Sequence, residues 1–364
     1  MTPDADHADA IEKLLTQPNQ SFLPALDLVR ALAVLLVVVD HTLLALHSQV
    51  FFGFHAGFLG LVGVWMFFVH TALVLMWSLE RKPYTLDFYI RRIFRIYPLA
   101  LAAIAVALLT RAPLLGTLDQ YFGYHPTSHG NLLATSLLVY NLAPPYLGYH
   151  PIVNVIWTLP LEVQMYLLLP VLFAFARRDR TIWPLFLMWC LAVAVSTLYF
   201  KGAVTFISSV PNFLSGVIAF VAFKRVRPRL PAWTFPLFLL SLIGLVLHFS
   251  RVSFGWPFSL ALGLGLPWFR SLSPSILTRT CHWIARYSYG IYLVHPFALV
   301  LGPYLLRRHS LALQILVEVA TISVASVVSY HWLEKPMIDL GSRLAARLEH
   351  LALTRHPGEA PNSL

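Results

Sequence analysis

Apolar residues run along the chain in blocks of about twenty, the length that crosses roughly 30 Å of hydrocarbon, separated by short polar stretches. Such blocks begin near Leu26, Gly57, Ile93, Val155, Thr181, Val204, Ala232, Gly255, Ser288 and Leu311. The pattern predicts an all-α fold: a polytopic membrane bundle of about ten transmembrane helices. Leu132 to Leu142 is also apolar, but it is too short to cross and sits between Pro- and His-containing stretches. It reads as a re-entrant or interfacial segment.

Composition agrees with this picture. Of 364 residues, 58% are hydrophobic and 12% charged, about half the charge of a soluble globule. The +10 balance comes from basic residues clustered in short interruptions, which fits topology signals and not a nucleic-acid footprint. With the amino terminus inside, 20 of the 26 Lys and Arg fall on the inner side, five on the outer side and Arg30 within the first span. Counting Leu132 to Leu142 as a span would move Arg177, Arg178 and Arg180 outside, so the ten-span arrangement with both termini cytoplasmic is favoured. The chain then divides into a cytoplasmic tail (1–25), a membrane domain (26–336) and a cytoplasmic tail (337–364). In the first tail Asp4, Asp6, Asp9 and Glu12 face only Lys13, so no basic leader precedes the first helix, which is expected to stay as an anchor. In the last, Ile338, Leu344, Leu348 and Leu351 alternate with Arg343 and Arg347, the pattern of a basic helix on the inner leaflet or of a solvated helix end. Cys190 and Cys281 are the two cysteines, too few for a disulfide framework or a four-ligand metal site, and no metal is expected.

Ionisable side chains inside hydrocarbon cost several kcal/mol unless paired or hydrated, so they mark function. In the first span Arg30 and His41 lie eleven residues apart, about 20° off three full turns and roughly 16 Å along the axis. They share a face. Asp27 lies one turn before Arg30, close enough to pair with it, whereas Asp40 points about 80° away. In the fourth span Glu162 and Tyr166 share a face at i,i+4, and Glu162 falls at about the depth His41 reaches from the other side. That placement suggests a base and an orienting carboxylate, against the alternative that Glu162 pairs structurally with an arginine. Ser288, Tyr292 and His295 form one stripe, with His295 expected in the inner half. At the entry to the third span, Arg91, Arg92 and Arg95 crowd one helical turn, which suits a phosphate-bearing anion among them, against the alternatives of lipid headgroups or a plain positive-inside bias.

Six segments, LDLVRALAVLLVVVDH, FYIRRIFRIYP, WTLPLEVQMYLLLP, PNFLSGVIAF, SYGIYLVHP and WLEKP, stand in this order between Leu26 and Ile338. In order and spacing the set resembles the acyltransferase 3 family of integral membrane O-acyltransferases. The resemblance implies a ten-helix enzyme that moves an acyl group, commonly acetyl, from cytoplasmic acyl-CoA to a hydroxyl of a cell-envelope glycan or related molecule in a bacterial inner membrane. The family's Arg-x10-His motif falls on Arg30 and His41. Its Arg-x-x-Arg motif, thought to hold the coenzyme A phosphates, falls on Arg92 and Arg95. The Trp-Ser/Thr-Leu-x-x-Glu-x-x-x-Tyr signature falls on Trp157, Thr158, Leu159, Glu162 and Tyr166, and the Glu-Lys-Pro ending on Glu334, Lys335 and Pro336. His70 and Thr71 stand where relatives often carry Ser-Gly, which leaves the size of the donor open.

Acyl transfer to a hydroxyl needs a base for its proton and a group to stabilise the developing oxyanion. His41 is the expected base or transient acyl carrier, with Glu162 the first candidate partner and Asp40 the second. Arg30, Arg92, Arg95, Tyr166 and His295 are assigned to the donor, and Trp157, Tyr140 and Tyr292 to the acceptor. The stretch from Arg111 to Val155 carries Tyr121, Phe122, Tyr124, Tyr146 and Tyr149 with His125, His129 and His150, which could stack on sugars or form an interfacial belt. The oligomeric state, a homodimer included, is left open. The rival class is a proton-coupled transporter or flippase for a lipid-linked or small anionic substrate, although the inverted repeats and paired broken helices of such folds are not found.

Overall fold

The structure is a computed structural model and describes residues 18–47, 50–51, 54–55, 57–110, 128–143, 147, 152–178, 182–199, 205–249 and 251–355. Its helices are α1 (Pro18–Ala45), α2 (Gly57–Arg81), α3 (Thr85–Thr110), α4 (His129–Ser136), α5 (Thr158–Arg178), α6 (Trp183–Tyr199), α7 (Phe206–Phe223), α8 (Thr234–Phe249), α9 (Gly255–Gly265), α10 (Ile276–Leu299), α11 (Leu311–Ser329) and α12 (Lys335–Arg355). One antiparallel pair of two-residue strands, β1 (Val50–Phe51) and β2 (Phe54–His55), joins the first two helices. Among the described residues six stretches are long and apolar enough to cross a membrane: Pro24–Ala45, Gly57–Arg81, Thr85–Thr110, Asn154–Arg177, Phe206–Phe223 and Leu311–Leu351, while Trp183–Leu198 and Thr234–Phe249 are shorter apolar helices. Peripheral residues such as Leu109, Leu187 and Leu198 are about 70% exposed or more, a surface that suits lipid and not water.

Each predicted apolar block contains a helix, but three begin earlier than hydropathy suggests, α1 at Pro18 and two others. α10 starts at Ile276, twelve residues before Ser288, because Ser275 and Thr278 form a capping box and the polar turns Ile276–Tyr287 are helical. α3 starts at Thr85 and so includes the cationic turn. Leu132 to Leu142 contains no crossing helix: α4 is followed by a 3-10 turn over Tyr140–Leu142. Between them buried Leu138 takes a left-handed backbone, φ 56°, which stops the helix and turns the chain. Residues 335–355 extend α11 through a π-helical turn at Tyr330–Glu334 and dock along α3, with Arg91 bonded to Ser342 at 3.1 Å and Lys82 to Glu349 at 2.6 Å. This helix is therefore packed against the bundle along one face.

Contacts fix the helix directions. α1 and α10 are parallel, because Asp27 meets His282 and His41 meets His295. α1 and α2 are antiparallel, with Asp40 beside Gly60 and Ala33 beside Gly63. α2 is parallel to α7 through the Phe68–Phe213 and Trp77–Phe223 ring pairs, and α7 to α9 through Trp256–Ser208 and Ser259–Asn212. α6 opposes α7, with Trp189 on Ser215 and Ser196 on Ile207. α11 opposes α10, with Gly302 at Gln314 and Tyr287 at His331. These directions are those of a chain that reverses at each successive long helix.

The middle of the bundle is α2 and α7, whose apolar windows are 72% buried, against 28% for α3. Close approach makes this possible: a Cβ at Gly63 would stand 2.4 Å from the Ala33 carbonyl, and one at Gly216 2.4 Å from the Val69 carbonyl. Backbone contact through small residues is how helices associate where lipid removes the hydrophobic drive.

Candidate active site

The site lies where α1, α2, α3, α5 and α10 converge. Arg30 donates from Nε to Ser288 Oγ at 2.6 Å, and Ser288 donates in turn to the Ala285 carbonyl at 2.8 Å. Asp27, expected beside Arg30, instead takes a hydrogen bond from His282 Nδ1 at 2.7 Å. Arg30, Arg95, Glu162, Tyr166, Ser288 and Tyr289 line the polar side of a cavity with about 650 Å³ of empty space, part of it open to solvent. Val64, Phe67, Phe68, Ile96 and Leu159 form its apolar wall. Tyr289 donates to the Ile96 carbonyl at 2.6 Å and so clamps α10 to α3 beside it.

Glu162 accepts a hydrogen bond from Tyr166 and lies in the electrostatic field of Arg30, Arg95 and Arg92. The second reading of Glu162, a carboxylate among arginines, is the one its surroundings match. The three cations of the entry turn do not act alike. Arg91 is held by Asp87 at 2.7 Å, Arg95 opens on the cavity, and Nε of Arg92 is buried with no partner. An unpartnered guanidinium N–H is costly to bury and suits a phosphate oxygen. Buried Glu334, within the field of Arg95 and Arg30, likewise leaves Oε1 without a partner.

At the other end of the cavity Tyr292 donates to the Val155 carbonyl at 2.7 Å and lies 2.9 Å from Thr158 Oγ1. Trp157 closes the 3-10 turn that leads into α5. Tyr140 lies close enough to act electrostatically on Tyr292, and burial pushes its phenol above the ordinary tyrosine value, so it remains protonated. Tyr292 itself lines the cavity, and its ring centroid is 5.9 Å from that of His295, one of a pair of histidines. His41 Nδ1 lies 2.8 Å from His295 Nε2, with the ring centroids 5.0 Å apart and the ring planes within 9° of each other.

This pairing revises two expectations. His295 is level with His41, because α10 begins so early that His295 lies about 28 Å along it, not in the inner half. Neither proposed carboxylate partner is hydrogen-bonded to His41. Glu162 is engaged by Tyr166. Asp40 faces the first-turn amides of Leu59 and Gly60 in α2, where free N–H groups and the helix dipole attract an anion. Thr42, the residue after His41, donates to Glu318 Oε1 at 2.5 Å.

The sequence reading passed over Glu318, Thr42 and any role for Ser288 as the partner of Arg30. Glu318 had a signal, being the only charge in LALQILVEVATISVASVVS. Thr71 lines the cavity, and buried His70 lies in the field of Arg30 and Arg95, so this atypical pair borders the site. Of the aromatics between Arg111 and Val155, His129 begins α4, whereas Tyr121, Phe122, Tyr124, His125, Tyr146, Tyr149 and His150 lie outside the described residues. No cluster of three His, Cys, Asp or Glu among the described residues is arranged for a metal ion.

The structure thus presents a helical bundle with an arginine-lined cavity and a buried histidine pair. The family model for the Acyl_transf_3 acyltransferase domain matches residues 23–330, and the chain belongs to this acyltransferase family of integral membrane proteins. No curated protein and no solved structure matched the chain.

Proposed function

We propose that the chain is a membrane O-acyltransferase that takes an acyl group, acetyl by preference, from cytoplasmic acyl-CoA and places it on a hydroxyl of a cell-envelope glycan or similar acceptor in a bacterial inner membrane. The observation that carries this reading is the cavity lined by Arg30 and Arg95, with the buried, unpartnered Nε of Arg92 one turn of helix before Arg95 and the His41–His295 pair three turns along the first helix from Arg30. The arginines receive the phosphates. The pantetheine arm crosses the roughly 16 Å from Arg30 to His41, and the acceptor comes to His41 from the opposite side, past Trp157, Tyr140 and Tyr292. His41 takes the hydroxyl proton as the oxygen bonds to the acyl carbon, the carbon–sulfur bond breaks, and the proton passes to the departing thiolate. The opposed directions of successive helices fit ten crossings that leave both ends of the chain on one side, and the excess of Lys and Arg there is what points to the cytoplasmic one.

Thiol release from short acyl-CoAs by the purified protein in nanodiscs, with envelope glycan added, tests the reading. Release that disappears in His41→Ala, while membrane insertion and monodispersity are kept, is expected. No release from any short acyl-CoA would overturn the proposal in favour of a carrier in which Arg30 and His41 couple protons to transport.

A further inference from the structure

The atoms around the histidine pair determine where its protons sit. His295 Nδ1 is 3.3 Å from the Ile291 carbonyl and also within bonding reach of the Tyr292 carbonyl. That second carbonyl is free because Pro296, four residues on, has no N–H to give it. Carbonyl oxygens can only accept, so His295 Nδ1 carries the hydrogen. A neutral imidazole has one N–H, which leaves His295 Nε2 bare. The atom facing it at 2.8 Å is His41 Nδ1, which must therefore be the donor. His41 then has its lone pair on Nε2, the arrangement a general base requires.

We propose that His295 is the positioning residue for His41, occupying the place a carboxylate holds in triad-type sites: its Nε2 accepts from His41 Nδ1, fixing the tautomer and supporting the imidazolium formed when His41 takes the acceptor's proton. This inference rests on His41 being the base, and it moves His295 from the donor-binding set to the catalytic end of the site. The geometry is well suited to the role. His295 is fully buried, and the two rings lie nearly coplanar and edge to edge, which aligns the N–H of one with the in-plane lone pair of the other. The bond from His41 becomes charge-assisted when His41 is protonated and so strengthens when it is needed. A neutral acceptor also avoids adding a further carboxylate to those already buried in the bundle.

Two variants of similar size separate the roles of the two ring nitrogens. His295→Gln places an amide oxygen near the Nε2 position and keeps the acceptor. His295→Asn reaches only the Nδ1 position and loses it. With both proteins monodisperse, His295→Asn should lower kcat at least about tenfold more than His295→Gln, with the KM for acyl-CoA unchanged in both. Equal kcat losses, or a rise in KM for acyl-CoA with kcat kept, would overturn the proposal and return His295 to donor binding. A second readout does not depend on turnover: the ¹⁵N spectrum of the histidine-labelled protein should show His41 in the Nδ1–H form and lose that preference in His295→Asn. An Nε2–H form in the native protein refutes the tautomer argument even if acyl transfer is confirmed. An Nδ1–H form without thiol release would count against the enzymatic reading alone.

Discussion

Replacing Gly63 with alanine tests whether close contact between α1 and α2 holds the site in register. The added Cβ would stand 2.4 Å from the Ala33 carbonyl and 2.9 Å from Val37 Cγ2, and real contacts essentially never fall under 3.0 Å. The helices must therefore part by at least about 0.6 Å. The carbonyl belongs to the backbone and cannot swing aside, so the movement is carried by α1, which bears Arg30 and His41. Overpacking of this kind costs about 1–3 kcal/mol, while a displacement approaching 1 Å at reacting groups can cost about a hundredfold in rate. Gly63→Ala should thus melt somewhat lower in detergent yet lose far more thiol-release activity than its stability loss explains. The control is Gly244→Ala, in the interior of α8, where a Cβ meets nothing within 4 Å. There alanine should be neutral or stabilising by about 0.5–1 kcal/mol, with full activity. Equal melting and equal activity in the two variants would refute the close-packing argument.

Further expectations follow from individual contacts. Ser288→Ala leaves Arg30 Nε without its partner and should raise the KM for acyl-CoA roughly ten- to a hundredfold, at a cost of about 1.5–3 kcal/mol; an unchanged KM would place Arg30 outside the donor site. Arg92→Gln and Arg95→Gln should raise the KM for acyl-CoA more than that for the acceptor, and the reverse order in steady-state kinetics would reverse the orientation of the site. Thr42→Val removes the partner of buried Glu318, so thermal unfolding should report a loss of about 1–3 kcal/mol. Burial alone pulls the Lys82 ammonium down, but the carboxylates of Asp87 and Glu349 more than offset it and hold it above the ordinary lysine value. Its contribution to docking α12 is complete below that ordinary value and is lost as pH rises through the raised one. The difference in melting temperature between the native protein and Lys82→Met should therefore stay flat from neutrality towards pH about 10.4 and shrink only above it.

The placement of the apolar blocks was legible because hydrocarbon imposes a length on every crossing helix. Helix starts were less so: Ile276–Tyr287 is helical but polar, and its capping box was the local signal that hydropathy ignored. On one helix, periodicity correctly put Arg30 and His41 on a shared face and set Asp40 apart. Partners across helices were harder to read. Depth arithmetic paired His41 with Glu162, although Tyr166 one turn away satisfies that carboxylate locally. His295 lay on the stripe with Ser288 and Tyr292, but the late start assumed for its helix put it at the wrong level. Asp40 serves the exposed amides of a neighbouring helix end, which no pattern within its own helix could show.

The site is assembled from the two ends of the chain: Arg30 with Ser288, His41 with His295 and Thr42 with Glu318, pairs separated by 258, 254 and 276 residues. During synthesis α1 reaches the bilayer carrying a guanidinium and an imidazole whose partners have not yet been translated. The half-made protein must keep that helix hydrated, shielded by the insertion machinery or tilted towards the headgroups until α10 and α11 arrive. Closure of the first helix against the last ones is thus a late event in biogenesis, and a chain cut short before α10 would present a lone intramembrane arginine, a mark by which quality control could recognise it.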